Sequence, residues 1–160
     1  MWTNRKWNYC LQWLVLSLAV LLVFGCSSDD DNPGGSLFTI ADLEGNWEAT
    51  RAVFTSVNAN PQLQIEVIAN GGTSTLTVSV NGNFTLVVTP VGKNPQITTG
   101  QFFAVNNMLE AVLDTDPSSS VIWGFQLSNN SLMLQPALDF DFDSNGSFQA
   151  ATGDMDLVRQ

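Results

Sequence analysis

The sequence predicts an all-β fold, an antiparallel up-and-down barrel of eight to nine strands, and three observations carry that expectation. From residue 37 onward Val, Thr, Leu, Phe and Ile alternate with polar residues, and no long segment has helical periodicity. Asn and Gly pairs interrupt the alternation at short intervals, as hairpin turns do. The connections leave little room for the crossings of a two-sheet sandwich, and closing a meander into a barrel removes its exposed edges.

One helical turn comes first. Thr39-Ile40-Ala41-Asp42 has capping-box spacing, with Asp in place of Glu, and Gly45 can stop it. Strands are expected over 46–57, 63–70, 73–80, 84–90, 97–105, 108–114, 121–128 and 131–135, with a last one ending at 155–159. Register follows from asking which loop length gathers the large apolar side chains on one face. A three-residue loop, Asn81-Gly82-Asn83, pairs Val80 with Phe84, Val78 with Leu86 and Leu76 with Val88, where a two-residue loop would mix the faces. Two-residue loops suit the other hairpins, because Asn accepts the positive φ they demand. At Asn106-Asn107 such a loop gathers Phe102, Ala104, Leu109, Ala111 and Leu113; at Asn129-Asn130 it pairs Leu127 with Leu132 and Phe125 with Leu134.

The N-terminal part reads as an address. Arg5 and Lys6 precede an apolar run over 11–24, and the small residue Gly25 stands directly before Cys26. As a helix that run reaches only ~21 Å, short of a ~30 Å hydrocarbon core. Val23-Phe24-Gly25-Cys26 resembles the bacterial lipobox, whose cysteine is diacylated and becomes the new N-terminus. The chain therefore divides into a lipoprotein signal peptide (1–25), a lipidated flexible tether (26–36) and a barrel domain (37–160). Ser27-Ser28-Asp29-Asp30-Asp31 resembles the acidic export tag of surface lipoproteins, which implies an outer-membrane, cell-surface location. The bland reading of the same residues is a solvated spacer. Cys10 leaves with the signal peptide, so no disulfide remains and the fold must stand on its core.

Composition excludes several functions. All the acidic residues lie beyond residue 25, where only Arg51, Lys93 and Arg159 are basic. That balance argues against nucleic acid and against electrostatic docking on anionic lipid. The chain has no histidine, and its one mature cysteine is the lipidated one. His-dependent triads, thiolate chemistry and His-ligated zinc are thereby excluded. Pairs such as Asp114/Asp116 and Glu48/Glu66 have no context suggesting a cleft, so the expectation is a protein that is not an enzyme.

One acidic segment is a candidate site. In Asp139-Phe140-Asp141-Phe142-Asp143-Ser144-Asn145-Gly146, alternation puts the two Phe on one face and the three Asp on the other. Asp141, Asp143 and Asn145, followed by Gly146, match the first half of a calcium loop, but Thr152 stands where a bidentate Glu would close it. The alternative is an edge strand with a solvated acidic face.

Two short motifs point to a family. Leu43-Glu44-Gly45-Asn46-Trp47 resembles the Leu-x-Gly-x-Trp opening of bacterial lipocalin-like domains. Gly100-Gln101-Phe102 with Asn106-Asn107-Met108-Leu109 is similar to their mid-chain Gly-x-Trp…Gly-Asn-x-Leu segment, with Phe for Trp and Asn for Gly. The resemblance implies an eight-stranded barrel, closed near Trp47 and open at the other end, with Arg159 stacked on Trp47. Alternation from an inward Trp47 carries Ala49, Arg51 and Val53 inward too, unless a bulge turns Arg51 out. On the inward branch Arg51, with Phe84, Phe102 and Phe125, would bind a fatty-acid-like or other small hydrophobic ligand. The expected function is a lipid-anchored extracytoplasmic binding protein; the alternative is an interaction module whose barrel is filled by its own side chains.

Overall fold

The computed structural model describes residues 38–160. A 3-10 turn, Ile40–Leu43, is followed by ten strands: β1 Gly45–Ser56, β2 Gln64–Glu66, β3 Thr73–Val78, β4 Asn83–Thr89, β5 Gln96–Val105, β6 Met108–Leu113, β7 Asp116–Ser128, β8 Ser131–Gln135, β9 Ala137–Phe140 and β10 Gln149–Arg159. Eight of them form the wall. β1, β3, β4, β5, β6, β7, β8 and β10 neighbour one another in that order, every pairing antiparallel, and β10 returns to β1 to close the barrel. The fold is an up-and-down eight-stranded barrel. All ten strands lie in the compact unit Leu37–Gln160, which has what a domain needs to fold alone.

β2 and β9 stand outside the wall. β1 and β10 run side by side for most of their length, and each changes its other neighbour midway. The first half of β1 pairs with β3 and the second with β2. The first half of β10 pairs with β9 and the second with β8. Pro136, which has no N–H to give a ladder, separates β8 from β9. Gly153 faces it, and a Cβ there would lie 2.6 Å from the Pro136 ring.

A bulge resolves the fate of β1. Its register against β10 shifts between Ala49 and Arg51, so one extra residue resets the alternation. Trp47 and Ala49 are buried, and so are Ala52, Phe54 and Ser56, while Arg51 is exposed. Of the two branches open to Arg51, the bulge is the one taken: Ala49 stays inward and Arg51 turns out.

The hairpins show what turn chemistry decides. Asn106 and Asn107 take φ of +52° and +61°, and Val105 pairs with Met108 as expected. Asn129 takes +42°, and Leu127 pairs with Leu132 as expected. In the β3–β4 hairpin the loop has three residues but sits one position earlier, at 80–82, so Val78 meets Phe84 and Leu76 meets Leu86. A three-residue loop wants its third position left-handed, and Gly82 (φ +86°) takes it. Sliding the register by two preserves the faces.

Other strand boundaries moved. The expected strand 63–70 is only Gln64–Glu66, because the chain turns at once: Gly71 N–H donates to Ile68 O and Gly72 N–H to Val67 O. It is no part of the wall, although Val67 is fully buried. β7 begins at Asp116 rather than 121.

The lower barrel is filled by side chains. Phe84 and Phe102 stack with centroids 4.1 Å apart, and Trp123 packs edge-on against both at 5.3 Å. Leu76, Leu86, Leu109, Leu132, Leu134 and Met155 surround them without solvent contact. Gly100 makes room for this packing, since a Cβ there would touch Phe84 at 3.0 Å and the Val112 carbonyl at 2.2 Å. Each such aromatic pair contributes ~0.5–1.5 kcal/mol beyond its buried area.

Candidate functional site

The two ends of the barrel differ in kind. The starts of β1, β4, β6 and β8 and the hairpins that join β3 to β4, β5 to β6 and β7 to β8 share one end. There Gly45, at φ +133°, swings the chain from the 3-10 turn into β1. Trp47 donates its indole N–H to Leu43 O at 2.9 Å, and the Arg159 guanidinium lies 4.3 Å above its ring. Arg159 also donates to Asp42 O at 2.7 Å and to Glu44 O. It therefore caps the carbonyls of the turn while its flat face covers Trp47. Thr39 donates its backbone N–H to Asp42 Oδ2 at 2.8 Å and its hydroxyl at 2.9 Å, and these bonds hold the Asp42 carboxyl below its ordinary range. This end is a plug, and the expected Trp47–Arg159 contact is part of it.

The opposite end is crossed by a strap. After Pro136 the chain pairs with β10 as β9, then leaves it at Phe140. Phe140 stacks on Phe54 at 4.5 Å and meets Phe142 edge-on at 5.0 Å. The backbone of Asp141 is held by the side-chain amide of Gln96: Asp141 N–H donates to Gln96 Oε1 at 2.9 Å, and Gln96 Nε2 donates to Asp141 O at 2.8 Å. Lys93 Nζ donates to Phe142 O at 2.9 Å. Gln96 opens β5, which is separated from β10 around the wall by three strands on one side (β6, β7, β8) and three on the other (β1, β3, β4). A segment tied to both β10 and β5 must span the mouth.

Asp141 organises that strap. Its Oδ1 accepts the N–H of Asp143 at 3.2 Å and of Asn145 at 3.3 Å, and its Oδ2 accepts that of Gly146 at 2.8 Å. Burial pushes its carboxyl up, but the N–H groups of Gly146, Ser144, Asn145 and Asp143 together outweigh that and hold it below the ordinary range. The calcium reading of Asp141, Asp143 and Asn145 gains no support from this geometry. A cation needs converging oxygens, whereas donors converge on Asp141 and Asn145 Oδ1 is spent on Ser147 N–H at 2.7 Å. Among the described residues no cluster of three or more acidic, His or Cys side chains is placed to hold a metal. The expected alternation also fails, because the strand ends at Phe140 and Asp141 is buried with both Phe.

Beside the strap a cleft of about 310 Å³ remains open. Val88, Gln96, Thr98 and Leu113 line it from the upper ends of β4, β5 and β6, with Ile97 and Thr115 at the rim. Leu138, Asp139, Phe140 and Phe148 line it from the strap side. Ile97 is 65% exposed and Phe148 59%, so two large apolar side chains stand in solvent at its edge.

None of the four residues expected to hold ligand lines this cleft. Phe84 and Phe102 fill the barrel below it, and Phe125 is half-buried against Phe38 at 4.4 Å. Arg51 lies on the outer wall, paired with Asp154 at 2.7 Å and within 4.0 Å of Asp156, so the inward branch on which it would hold ligand is not the one taken. The hydrogen bond and charge of Asp154 raise its pKa further. The segment 139–146 was visible in sequence as unusual, but as a metal loop, whereas its first two residues line the cleft. The expected lipidation site, Cys26, lies outside the described residues.

Fold and cleft together define a closed eight-stranded antiparallel barrel with a plugged end and a strapped end. No protein-family model matches the chain, and no curated protein matches it.

Proposed function

We propose that the protein is a lipid-anchored, extracytoplasmic binding protein of lipocalin-like build that carries one small, largely apolar molecule without transforming it. The cleft carries this reading. Its volume of about 310 Å³ falls at the low end of small-ligand sites, and apolar walls with a few polar groups are the usual composition of such sites. The filled lower barrel restricts the ligand to a small one. The lipobox-like Cys26 and the acidic tether support the location.

The test is amide NMR of the domain 37–160 titrated with 2-phenylethanol, a soluble neutral probe that fits the volume. Shifts confined to the neighbourhood of Ile97, Leu113, Thr115, Leu138 and Phe148 are expected. No saturable shift, or shifts elsewhere, would overturn the reading. A second reading has its own observation: the Phe84–Phe102–Trp123 packing is what a filled interaction module would contain. A silent titration would leave that reading standing.

A further inference from the structure

We propose that the cleft selects a small hydrophobic ligand carrying a protonated amine, with Asp139 as its counter-ion. The inference rests on the binding reading above and adds the charge of the ligand to it. Among the residues lining the cleft, Asp139 is the one that ionises, and none is a cation. Residues 38–160 contain three basic side chains. Arg51 is on the outer wall with Asp154 and Asp156. Arg159 lies over Trp47 at the plugged end. Lys93 belongs to the strapped end, but its ammonium is engaged by the Phe142 carbonyl. A fatty-acid-like carboxylate entering the cleft would therefore meet Asp139 with no cation among the lining residues.

The carboxylates nearest along the chain add to that sign, against Lys93, the single cation at this end among the described residues. Leu113 and Thr115 line the cleft, and Asp114 sits between them with Asp116 next along the chain. Ser119 and Ser118 donate hydroxyl hydrogen bonds to Asp116 and hold its pKa below the usual value, so it stays charged. Carboxylates around a low-dielectric opening concentrate cations there. Phe148, 59% exposed, brings an aromatic ring to the same lining as Asp139, and a ring face attracts an ammonium group more strongly when solvent is partly excluded. A ligand with an apolar body and an ammonium head matches both halves of this lining.

Three probes of similar size separate the possibilities: 2-phenylethylamine, 2-phenylethanol and phenylacetate, titrated at pH 7 and low salt into the domain 37–160 and its Asp139→Asn variant. The expected order is amine, then alcohol, then acid, with the amine ahead of the alcohol by roughly three- to tenfold, as an incompletely desolvated ion pair allows. Asp139→Asn is expected to erase that advantage and leave the alcohol unchanged. One molar salt is expected to shrink it in the unaltered domain, which provides a test even if the variant does not fold. An alcohol that binds as well as the amine, an amine advantage that survives Asp139→Asn, or indifference to salt would overturn the proposal while leaving the cleft a ligand site. Silence from all three probes would instead overturn the binding reading itself.

Discussion

Arg159 shows how much one side chain can hold when its shape fits two tasks. Its planar fork reaches Asp42 O and Glu44 O, and its face covers Trp47. Gly45 leaves room for the approach, since a Cβ there would stand a tight 3.3 Å from Arg159 Nη1. Arg159→Met should therefore cost about 1–3 kcal/mol, the sum of a cation–π contact and hydrogen bonds to two carbonyls. Arg159→Lys should recover only part of that, because an ammonium has no fork and no flat face. Urea unfolding of the three proteins checks this, and a Lys variant as stable as the original would show that charge alone suffices. This contact was legible in the sequence because Trp47 opens the first strand and Arg159 closes the last, and barrel closure sets the two side by side. Arg51 was harder to read. Alternation predicts its direction only while register is unbroken, and the bulge at Thr50 depends on how β1 meets β10 a hundred residues later.

At the scale of the element, the strap is where local pattern and long-range contact part company. Asp139-Phe140-Asp141-Phe142 alternates like a strand, but β9 stops at Phe140, where its pairing with Gln149 ends. What holds the rest is Gln96, forty-five residues away. No periodicity in either segment encodes that bond. The two Asn-Asn hairpins, by contrast, were legible down to their partners, because a two-residue turn leaves only one register. The β3–β4 hairpin was legible in loop length and face but displaced by two, because the glycine requirement outranked maximal pairing. A pH prediction belongs to the strap. The Asp141 pKa is depressed in the folded protein, so its contribution is present above the unfolded carboxylate value and is lost as pH falls through the lower folded value. Amide exchange at Asn145 and Gly146 should accordingly stay slow down to about pH 4, the ordinary carboxylate value, and accelerate only below it. In Asp141→Asn the same amides should exchange rapidly at every pH, because an amide oxygen is a weaker acceptor for three N–H groups than a carboxylate. Protection that tracks pH equally in both proteins would assign the loop's order to something other than Asp141.

For the whole molecule, the fold class was legible because closure is the economical answer to a meander with short connections, and that argument needs no single contact. The cleft was not, because its existence depends on where interior packing stops: the aromatic cluster fills the lower barrel, and the strap crosses above without sealing one side. Charge and anchorage are linked at this scale. The chain carries 15 acidic and 5 basic residues, so its surface gives no electrostatic reason to stay on an anionic bilayer, and on the proposed reading the acyl chains at Cys26 must supply the whole attachment. One chain gives only marginal, reversible binding, while two give a stable anchor at ~0.8 kcal/mol per buried methylene. Cys26→Ser should therefore move the protein from the membrane fraction to the soluble one, with no intermediate degree of retention and no dependence on salt. Fractionation after a high-salt wash, followed by mass spectrometry of the N-terminal peptide, measures both. A Cys26→Ser protein that remained with the membrane would mean that the apolar run over 11–24, rather than a lipid, holds the barrel in place.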